Sequence, residues 1–446
     1  MYLYSIPNLH KAVQSTGLYN SKRPSEKQVL IDKCNWFIHS IVEGNKQHWD
    51  LFNYKPVPLS KEILKDVIGR TEYLNVKDLL EELGYITVDN KYSSASFIKL
   101  YNDSRVSNGK KALELQPTSK KYALTDKAIT TGILKVGIIT SRMRTKIRKY
   151  KDEKINQYIN DPVHNKILNS ITKIKFNPHH TKALNNLKNS QGITDKDKYH
   201  REAYTELQEL NSLNSIAEYA QSDSFYYTQS KNVNRVFHYY STVPKAYRES
   251  LQLKSGGNLS EIDLRNSQPL IIALNYLKIN GKNDGSNLLK DVLSGGFYKA
   301  VADKAHANND IDTYNLFADD YSKFKAQVLG QGLYFNYIPD LNKIKPMEAY
   351  LMELYPNFMR YIRNKKRTNG YKIISIEAQL VESSIFINGL YNRLKINDIA
   401  IPVHDSIVIP TDKEQYFLGK LVESFKSVFP YLPENNIKAL FRITEY

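Results

Sequence analysis

The amino-acid sequence predicts an α+β protein with more than one domain. The chain has 446 residues, and a domain commonly holds roughly 150, so two or three domains are expected. Apolar residues recur at helical spacing in the N-terminal half, whereas the C-terminal half holds short apolar runs typical of strands. Helices and strands are therefore both expected, which places the chain in the α+β class.

Composition excludes several classes of protein. Cys34 is the single cysteine, which rules out an intrachain disulfide framework and a cysteine-rich zinc site. No apolar run approaches the roughly 20 residues of a membrane span, and the longest candidate, residues 269–277, is interrupted by Asn275. Residues 1–10 lack a basic segment followed by an apolar one. We therefore expect no secretory signal, no membrane partner and a cytoplasmic location.

The charge balance indicates a polyanionic partner. The chain has 63 Lys and Arg against 46 Asp and Glu, a formal net charge of +17. Its 33 tyrosines supply flat rings that can stack on bases or sugars. An AT-rich genome would also favour Lys, Asn and Tyr, so composition alone leaves the partner open.

Residues 1–127 are predicted to form a winged-helix-like module. Residues 63–68 and 76–83 carry apolar side chains at helical spacing, and Gly84 ends the second helix. Residues 85–88 alternate like a strand, and residues 120–124 offer a returning strand. Helix, helix, strand, loop, strand is the order of a winged helix, a common nucleic-acid-binding shape. A small packing module without DNA contact is the alternative.

Residues 128–231 are predicted to form a basic helical region. Its charge is concentrated in a run that could contact phosphate or could be a solvated face, and both readings stay open. The basic residues of this run are Lys135, Arg142, Arg144, Lys146, Arg148, Lys149, Lys151 and Lys154.

Two aspartates lie at the ends of strand-like runs in the C-terminal half. Asp263 lies in the run 259–264, and Asp405 lies between the β-rich stretches 399–403 and 407–409, as at a tight hairpin. If both meet on one sheet, they can hold two divalent metals about 3.5–4 Å apart. Taken alone, either aspartate would more often be a turn residue than a metal ligand. The choice between these two roles therefore depends on the surrounding motifs.

The surroundings resemble the family A polymerases, a superfamily that includes the phage-type single-subunit RNA polymerases. Val403-His404-Asp405-Ser406 resembles motif C of this superfamily, and the segment from Asp263 to Gln268 resembles motif A. The segment from Lys325 to Gly330, followed by Tyr334, resembles motif B, so the motifs occur in the order A, B, C. The resemblance covers residues 232–446. It implies a polymerase right hand: a palm with an antiparallel sheet, helical fingers at about 291–345 and thumb-like helices at 128–231, with the winged-helix-like module in front.

The resemblance also implies roles for individual residues. Asp263, Asp405 and the backbone carbonyl of Leu264 would bind two Mg²⁺ ions, for which Mn²⁺ can substitute. The residues implied to bind the nucleotide are Lys325, Lys323, Tyr334 and Gln268. The residues implied to bind the primer–template are Arg235, Arg248, His404, Glu377 and Gln379.

The sequence departs from the family pattern at the sugar and triphosphate positions. Ser267 and Gln268 lie four and five residues after the aspartate, and the glutamate that excludes ribose in the DNA enzymes is missing. Tyr321 replaces a basic residue of motif B, with Lys323 nearby, and Tyr334 comes one residue later than usual. The His-Asp-Ser form of motif C is closer to the RNA polymerases.

The expected function is therefore an exonuclease-deficient DNA polymerase of family A type. It would extend a primer 3′-hydroxyl with deoxynucleoside triphosphates on a DNA primer–template, for instance in replication of a plasmid, phage or mobile element. Proofreading is not expected, because the N-terminal half contains no Asp-x-Glu. One alternative is an RNA polymerase or primase of the same superfamily, and RNA is then a partner. Another is a non-catalytic winged-helix replication initiator, and protein partners are left open.

Overall fold

The computed structural model combines many helices with small antiparallel sheets. It describes residues 2–46, 56–59, 61–89, 120–180, 185, 204, 207–222, 226–243, 245–281 and 287–446. The mixture of helix and sheet confirms the α+β class.

The chain divides into two units. The first comprises Met1–Tyr158 and Leu184–Phe225, and the second comprises Ile159–Ala183 and Tyr226–Tyr446. The expected boundary between residues 127 and 128 therefore lies inside the first unit. The expected boundary between residues 231 and 232 lies a few residues after Tyr226, where the chain returns to the second unit.

Up to residue 222 the chain forms short strands, single helices and runs of two or three consecutive helices. The strands are β1 Tyr2–Ser5, β2 Val57–Pro58, β3 Ile86–Asp89, β4 Lys121–Leu124, β5 Leu134–Gly137 and β6 Ile174–Phe176. The helices are α1 Leu9–Gln14, α2 Gly17–Asn20, α3 Pro24–Lys46, α4 Lys61–Ile68, α5 Glu72–Glu82, α6 Asp126–Thr131, α7 Ser141–Ile159, α8 Pro162–Thr172 and α9 Ile216–Gln221. Of these elements, α8 and β6 belong to the second unit.

The first unit contains the predicted winged-helix order. Helices α4 and α5 and strands β3 and β4 occupy the expected segments, and Gly84 takes a positive φ of 69° just after α5. The two-residue strand β2 completes an antiparallel sheet in the order β2-β4-β3. The long helix α3 supplies buried side chains to the same core as α4 and α5. The loop predicted between the two strands falls within residues 90–119, which lie outside the described residues.

The described part of residues 128–231 is mainly helical, but it also contains short strands that the sequence did not predict. Strand β5 pairs with β1, and β6 pairs with the later strand β9, Leu251–Leu253. Both β5 and β6 are three or four residues long, and each forms its ladder with a strand distant in sequence. Such short runs look helical or irregular when read locally, because the partner strand is what defines them. Most of residues 181–206 lies outside the described residues.

The rest of the second unit is built around one four-stranded sheet. The strands are β7 Tyr227–Gln229, β8 Val236–His238, β9 Leu251–Leu253, β10 Leu259–Leu264, β11 Ile401–Val403, β12 Ser406–Pro410 and β13 Phe441–Glu445. The helices are α10 Tyr239–Thr242, α11 Lys245–Arg248, α12 Ser267–Asn280, α13 Leu288–Ser294, α14 Phe297–Ala307, α15 Ile311–Asp319, α16 Tyr321–Gln327, α17 Pro346–Leu354, α18 Pro356–Asn369, α19 Ile373–Ser383, α20 Glu414–Val428 and α21 Glu434–Leu440. Wider, π-helical turns at Val328–Leu333 and Ser384–Gly389 continue α16 and α19. Among the described residues, no helix is long and apolar enough to cross a membrane.

The sheet confirms the predicted hairpin and the predicted meeting of two strands. Its order is β11-β12-β10-β13, and every neighbouring pair is antiparallel. All residues of β10 except Asp263 are buried, and all of β11 and β12 are buried. Burial on both faces fits their apolar, β-branched sequences. Helix α20 packs against β10 and β12, so the sheet is a rigid support for the residues at its ends.

Candidate active site

The register of the sheet brings the two predicted aspartates together. Asp263 on β10 lies opposite Ser406 on β12, the residue after Asp405. The backbone N–H of Leu264 donates to the backbone carbonyl of Asp405 over 3.1 Å. His404 takes a positive φ of 57°, which allows the chain to turn sharply between β11 and β12. The turn residue and the last residues of β10 therefore meet at one end of the sheet.

A serine from the next helix fixes the Asp405 carboxylate. Ser267 is the first residue of α12, and its hydroxyl donates to Oδ2 of Asp405. The chain reaches α12 through Asn266, which takes the left-handed conformation with a φ of 50°. This tight turn after β10 places Ser267 beside the aspartates, so motif A supplies both a carboxylate and a hydrogen bond that orients the other.

Asp263 carries an unusually high pKa. Burial raises it to about 6, and the negative charges of Asp405 and Glu261 add to the effect. Arg442, opposite Asp263 on β13, donates from Nη2 to Oδ2 over 2.9 Å and opposes the shift without cancelling it. The raised pKa therefore reflects burial first and the neighbouring carboxylates second.

Glu261 is a third carboxylate on the same face of β10. It lies two residues before Asp263, and side chains alternate along a strand, so both point to one side. Glu261 is buried and accepts hydrogen bonds from the hydroxyls of Ser406, at 2.5 Å, and Tyr446, at 2.9 Å. These partners satisfy its oxygens, so its charge acts on Asp263 through the protein interior.

A chain of hydrogen bonds joins motif A, motif B and helix α19. The hydroxyl of Tyr334 donates to Oε1 of Gln268 over 2.8 Å, and Nε2 of Gln268 donates to Oε2 of Glu382 over 2.7 Å. Arg235 holds the same carboxylate with two hydrogen bonds of 2.8 Å each. The bond to Glu382 fixes the Gln268 amide, so its oxygen faces Tyr334.

Glu382 is the buried centre of this network. Only 1% of its side chain is exposed. Burial raises its pKa to about 7, and the charge of Asp405 adds to the shift, while Arg235 opposes it. The carboxylate therefore depends on Arg235 for its charge and links that arginine to the aspartate pair.

A π-helical turn positions Tyr334. The turn at Val328–Leu333 follows α16, and the Tyr334 N–H closes it on the carbonyl of Leu329 over 2.8 Å. A π-turn holds one residue more than an α-turn. From the end of this turn the hydroxyl of Tyr334 reaches Gln268.

His404 is a neutral, partly buried side chain. Burial lowers its pKa to about 4, and the charges of Arg235 and Arg248 lower it further. Its ring meets the edge of Phe237 at a centroid distance of 5.7 Å, and its buried Nδ1 has no hydrogen-bond partner among the described residues. A neutral imidazole in this place suits positioning rather than proton transfer.

Lys325 lies between two tyrosine rings. Its Nζ is 5.4 Å from the ring centroids of both Tyr298 and Tyr321. The negative charge of Asp405 acts on Tyr298, so this tyrosine connects the surroundings of Lys325 with those of the aspartate pair. Lys323 in the same helix is exposed, and its backbone N–H donates to Asp320 at the start of α16.

The remaining predicted residues have other neighbours. Arg248 donates from Nη1 to the carbonyl of Val243 over 3.0 Å. Glu377 forms an ion pair with Lys365 at 2.5 Å, and none of its contacts among the described residues involves the aspartate pair. Its implied role at the primer terminus thus gains no geometric support.

Gln379 lies one helical turn before Glu382 on α19. It makes no hydrogen bond among the described residues and is partly exposed. Residues three apart share a helix face, so its side chain is directed to the same side as Glu382.

Sequence reasoning assigned no role to five residues that shape the site. They are Glu261, Ser267, Tyr298, Glu382 and Arg442. The alternation of β10 could have indicated the first, and the helical spacing from Gln379 could have indicated Glu382. Nothing local indicates Arg442, whose position depends on the pairing of β13 with β10.

The donor set fits a divalent cation. Asp263, Asp405 and the carbonyl of Leu264 offer the hard oxygen donors that Mg²⁺ prefers, and the same donors suit Mn²⁺. The raised pKa of Asp263 indicates negative charge that a cation would relieve, and Arg442 already places a cationic group there. Across the described ranges, no three His, Cys, Asp or Glu side chains cluster as metal ligands. The remaining ligands of such a cation would come from outside the protein, for example from water.

No protein-family model matches this chain, and no curated protein matches it. The superfamily resemblance therefore rests on the motifs and their spacing.

The crowded carboxylates predict a pH-dependent stability. The folded pKa of Asp263, about 6, exceeds its ordinary value of 3.8, so the folded state binds its proton more tightly than the unfolded state. This contribution is fully present below pH 3.8 and is lost as the pH rises through 6. In EDTA, Asp263→Asn should therefore gain stability relative to wild type over this range, by at most about 3 kcal/mol.

Urea unfolding between pH 4 and pH 8 measures this difference. Asp412→Asn, at an exposed aspartate on the same unit, is the matched control and should follow wild type. If the free energies of unfolding of Asp263→Asn and wild type differ by a constant amount from pH 4 to pH 8, the surroundings of Asp263 do not raise its pKa.

Proposed function

We propose that this chain is a template-directed nucleotidyltransferase, a DNA polymerase of family A type. The observation that carries the proposal is the pairing of β10 with β12, which sets Asp263 beside Asp405 at the end of an antiparallel sheet. Two-metal polymerases need two carboxylates on a rigid support, close enough to share a pair of ions. The reaction is attack of a primer 3′-hydroxyl on the α-phosphorus of a nucleoside triphosphate, with release of pyrophosphate.

The proposal assigns the parts of a right hand within the second unit. The four-stranded sheet would be the palm, and the helices from Leu288 to Gln327 would be the fingers. Lys325 lies in the last of these helices against the Tyr298 ring, and Tyr334, seven residues after Gln327, donates a hydrogen bond to Gln268. A thumb-like role for residues 128–231 stays a prediction.

The roles of the side chains follow from their contacts. When bound at the aspartate pair, Mg²⁺ supplies charge neutralisation for the phosphates and lowers the pKa of the attacking hydroxyl. Ser267 keeps the Asp405 carboxylate oriented, which preserves the geometry that the reaction needs. Lys325 binds the triphosphate as a positive charge and stabilises the charge that develops on the leaving group.

The Arg235–Glu382 pair would line the primer side of the site. Separating Arg235 from Glu382 would leave the buried carboxylate without a compensating charge, which is costly. The ion pair therefore keeps Arg235 in one conformation. His404, partly buried and with its ring against Phe237, adds a neutral surface near Arg235. A fixed arginine and a neutral imidazole provide shape and positioning rather than acid–base chemistry.

The sugar site supports a deoxynucleotide preference with weak discrimination. Gln268 stands where the family pattern has the ribose-excluding carboxylate, counted from Asp263, and its amide is held by Glu382 and Tyr334. A fixed amide supplies bulk against a 2′-hydroxyl but lacks the negative charge of a carboxylate. A site that requires ribose would instead offer the hydroxyl a buried partner, because an unpaired polar group costs about 1–3 kcal/mol.

The missing carboxylate and the His-Asp-Ser motif favour an RNA polymerase or primase as a second candidate. Both candidates use the same aspartate pair and differ only in the sugar they accept. Extension of a labelled primer with deoxynucleotides or ribonucleotides, on DNA and on RNA templates, separates them. No extension with any combination would leave the non-catalytic initiator.

The metal-binding aspartates should be essential for catalysis. Asp263→Asn and Asp405→Asn should each abolish primer extension and leave primer–template affinity nearly unchanged, because each removes a metal ligand but no positive charge. Asp412→Asn, which changes an exposed aspartate outside the site, should extend primers at the wild-type rate. Either site variant extending primers within about tenfold of wild type would refute the metal assignment.

Lys325 should act on the nucleotide. Lys325→Ala should lower single-turnover incorporation by at least about a hundredfold and spare primer–template affinity, because the contact is to the triphosphate. Lys299→Ala provides a matched control, since Lys299 is exposed and paired with Asp303. Equal losses of DNA affinity and turnover in Lys325→Ala would instead make this lysine a contact to the nucleic-acid backbone.

Sugar choice should depend on the Gln268–Tyr334 hydrogen bond. The ratio of kcat/KM for dATP to that for ATP should exceed one in wild type and fall in Gln268→Ala, which removes the bulk. Tyr334→Phe keeps the ring but loses the hydroxyl, so its ratio should lie between the two. A wild-type ratio below one on a primed DNA template would favour the RNA polymerase or primase reading and leave the aspartate pair in place.

A further inference from the structure

The first unit holds a winged-helix order whose exposed helix is acidic. In helix-turn-helix modules the second helix enters the major groove, and α5 is the corresponding helix here. Its side chains that reach solvent include Glu72, Asp78, Glu81 and Glu82, whereas Lys77 is its single basic residue.

The one lysine of α5 does not reverse this charge. Nζ of Lys77 pairs with Asp78 at 2.7 Å and with Glu81 at 2.8 Å. Glu72 pairs with the buried Lys33 at 2.5 Å. Glu82 remains exposed on the same helix. A helix with this surface repels phosphate, so the topology that predicts DNA contact and the charge of α5 disagree.

Helix α7 of the same unit has the opposite surface. Arg142, Arg144, Arg148 and Lys149 are exposed, and the three arginines form no ion pair with any carboxylate among the described residues. Lys149 is the partial exception, because it lies 3.6 Å from Glu153. The exposed side of the first half of α7 therefore carries only positive charge.

The other side of α7 fixes it to the first unit. Met143, Ile147 and Ile155 are buried. Nζ of Lys146 donates to the carbonyl of Val67 over 3.3 Å, and Nζ of Lys151 donates to the carbonyl of Ser222 over 2.8 Å. These lysines hold the helix in place, which leaves the arginines on a rigid, outward-facing surface.

We propose that the exposed face of α7, defined by Arg142, Arg144, Arg148 and Lys149, binds the phosphate backbone of a nucleic acid, and that α5 does not enter a groove. A rise of about 1.5 Å per residue spreads these cations over roughly 10 Å along the helix. With about 3.6 residues per turn they lie on the two flanks of its exposed surface, Arg142 with Lys149 and Arg144 with Arg148, so they can contact separate stretches of the phosphate backbone. Charge complementarity identifies the partner: unpaired guanidinium groups on a chain of net charge +17 match a polyanion. Because the acidic surface of α5 does not suit base readout, the proposed binding is independent of sequence.

The experiment uses the full chain and labelled 20-base-pair duplexes of two unrelated sequences, with no nucleotide present. The variant replaces Arg142, Arg144 and Arg148 by Gln. Fluorescence anisotropy across a NaCl series gives log K as a function of log[salt]. The slope of this plot should be smaller in magnitude by about 3 in the variant than in wild type, and the variant should bind at least about tenfold more weakly near 0.1 M salt. Both sequences should respond alike.

Three controls make the result specific. Lys11, Lys22 and Lys121 replaced together by Gln remove the same charge from elsewhere in the first unit and should leave the slope within about 1 of wild type. Lys at all three arginine positions should retain the wild-type slope, because phosphate contact needs charge rather than a guanidinium fork. Asp78→Asn with Glu82→Gln tests α5 and should change affinity by less than about threefold.

Several outcomes would overturn the proposal. One is an unchanged slope in the arginine variant with an unaltered thermal midpoint. Another is a large gain in affinity from the α5 variant, which would place DNA against that helix. A third is loss of binding to phosphatidylserine vesicles in the arginine variant while DNA binding stays intact, which would make α7 a membrane-surface contact. If the triple variant fails to fold, Arg148→Glu alone gives the same test. Because no nucleotide is present, none of these results depends on the proposed polymerase activity.

Discussion

The antiparallel register of β10 and β12 is the constraint on which the second unit depends. One hydrogen bond, from the Leu264 N–H to the Asp405 carbonyl, marks the point where two distant segments meet. A shift of one residue would turn Asp263 to the opposite face of the sheet and bury it among apolar side chains. The buried residues of β10 and β12 prevent that shift, so the hydrophobic core determines where the two carboxylates lie.

Holding carboxylates together in a partly buried place costs free energy, and the neighbouring side chains limit that cost in different ways. Ser267 donates a hydrogen bond to Asp405, and Arg442 places a positive charge against Asp263. Glu261 increases that cost, because its hydrogen-bond partners are uncharged hydroxyls that do not neutralise its negative charge. The remaining imbalance, seen in the raised pKa of Asp263, makes this end of the sheet attractive to a cation.

The residue pattern of a segment was sufficient to predict several helices and strands. It was not sufficient to predict which distant segments pair with each other. The hairpin around Asp405 and the helices of the N-terminal module follow from spacing and turn residues, and the structure confirms them. The short strands β5 and β6 were predicted as helix, because each exists only through a distant partner. The site shows the same division. Gln268 and Tyr334 were candidates from motifs, but Arg442 depends on register, and Glu377 binds Lys365 from another helix instead of the site.

The first unit shows why topology alone does not decide function. Its strands and helices follow the order of a winged helix, yet the helix that such a module presents to DNA carries carboxylates whose nearest lysine is already paired. Folding depends on the buried side of α5, where Tyr73, Val76 and Leu80 fill the core, and it places few demands on the exposed side. The exposed side is therefore free to change its charge while the fold persists. What a surface binds follows from the charges that remain unpaired on it, and among the described residues of this unit Arg142, Arg144 and Arg148 on α7 carry such charges.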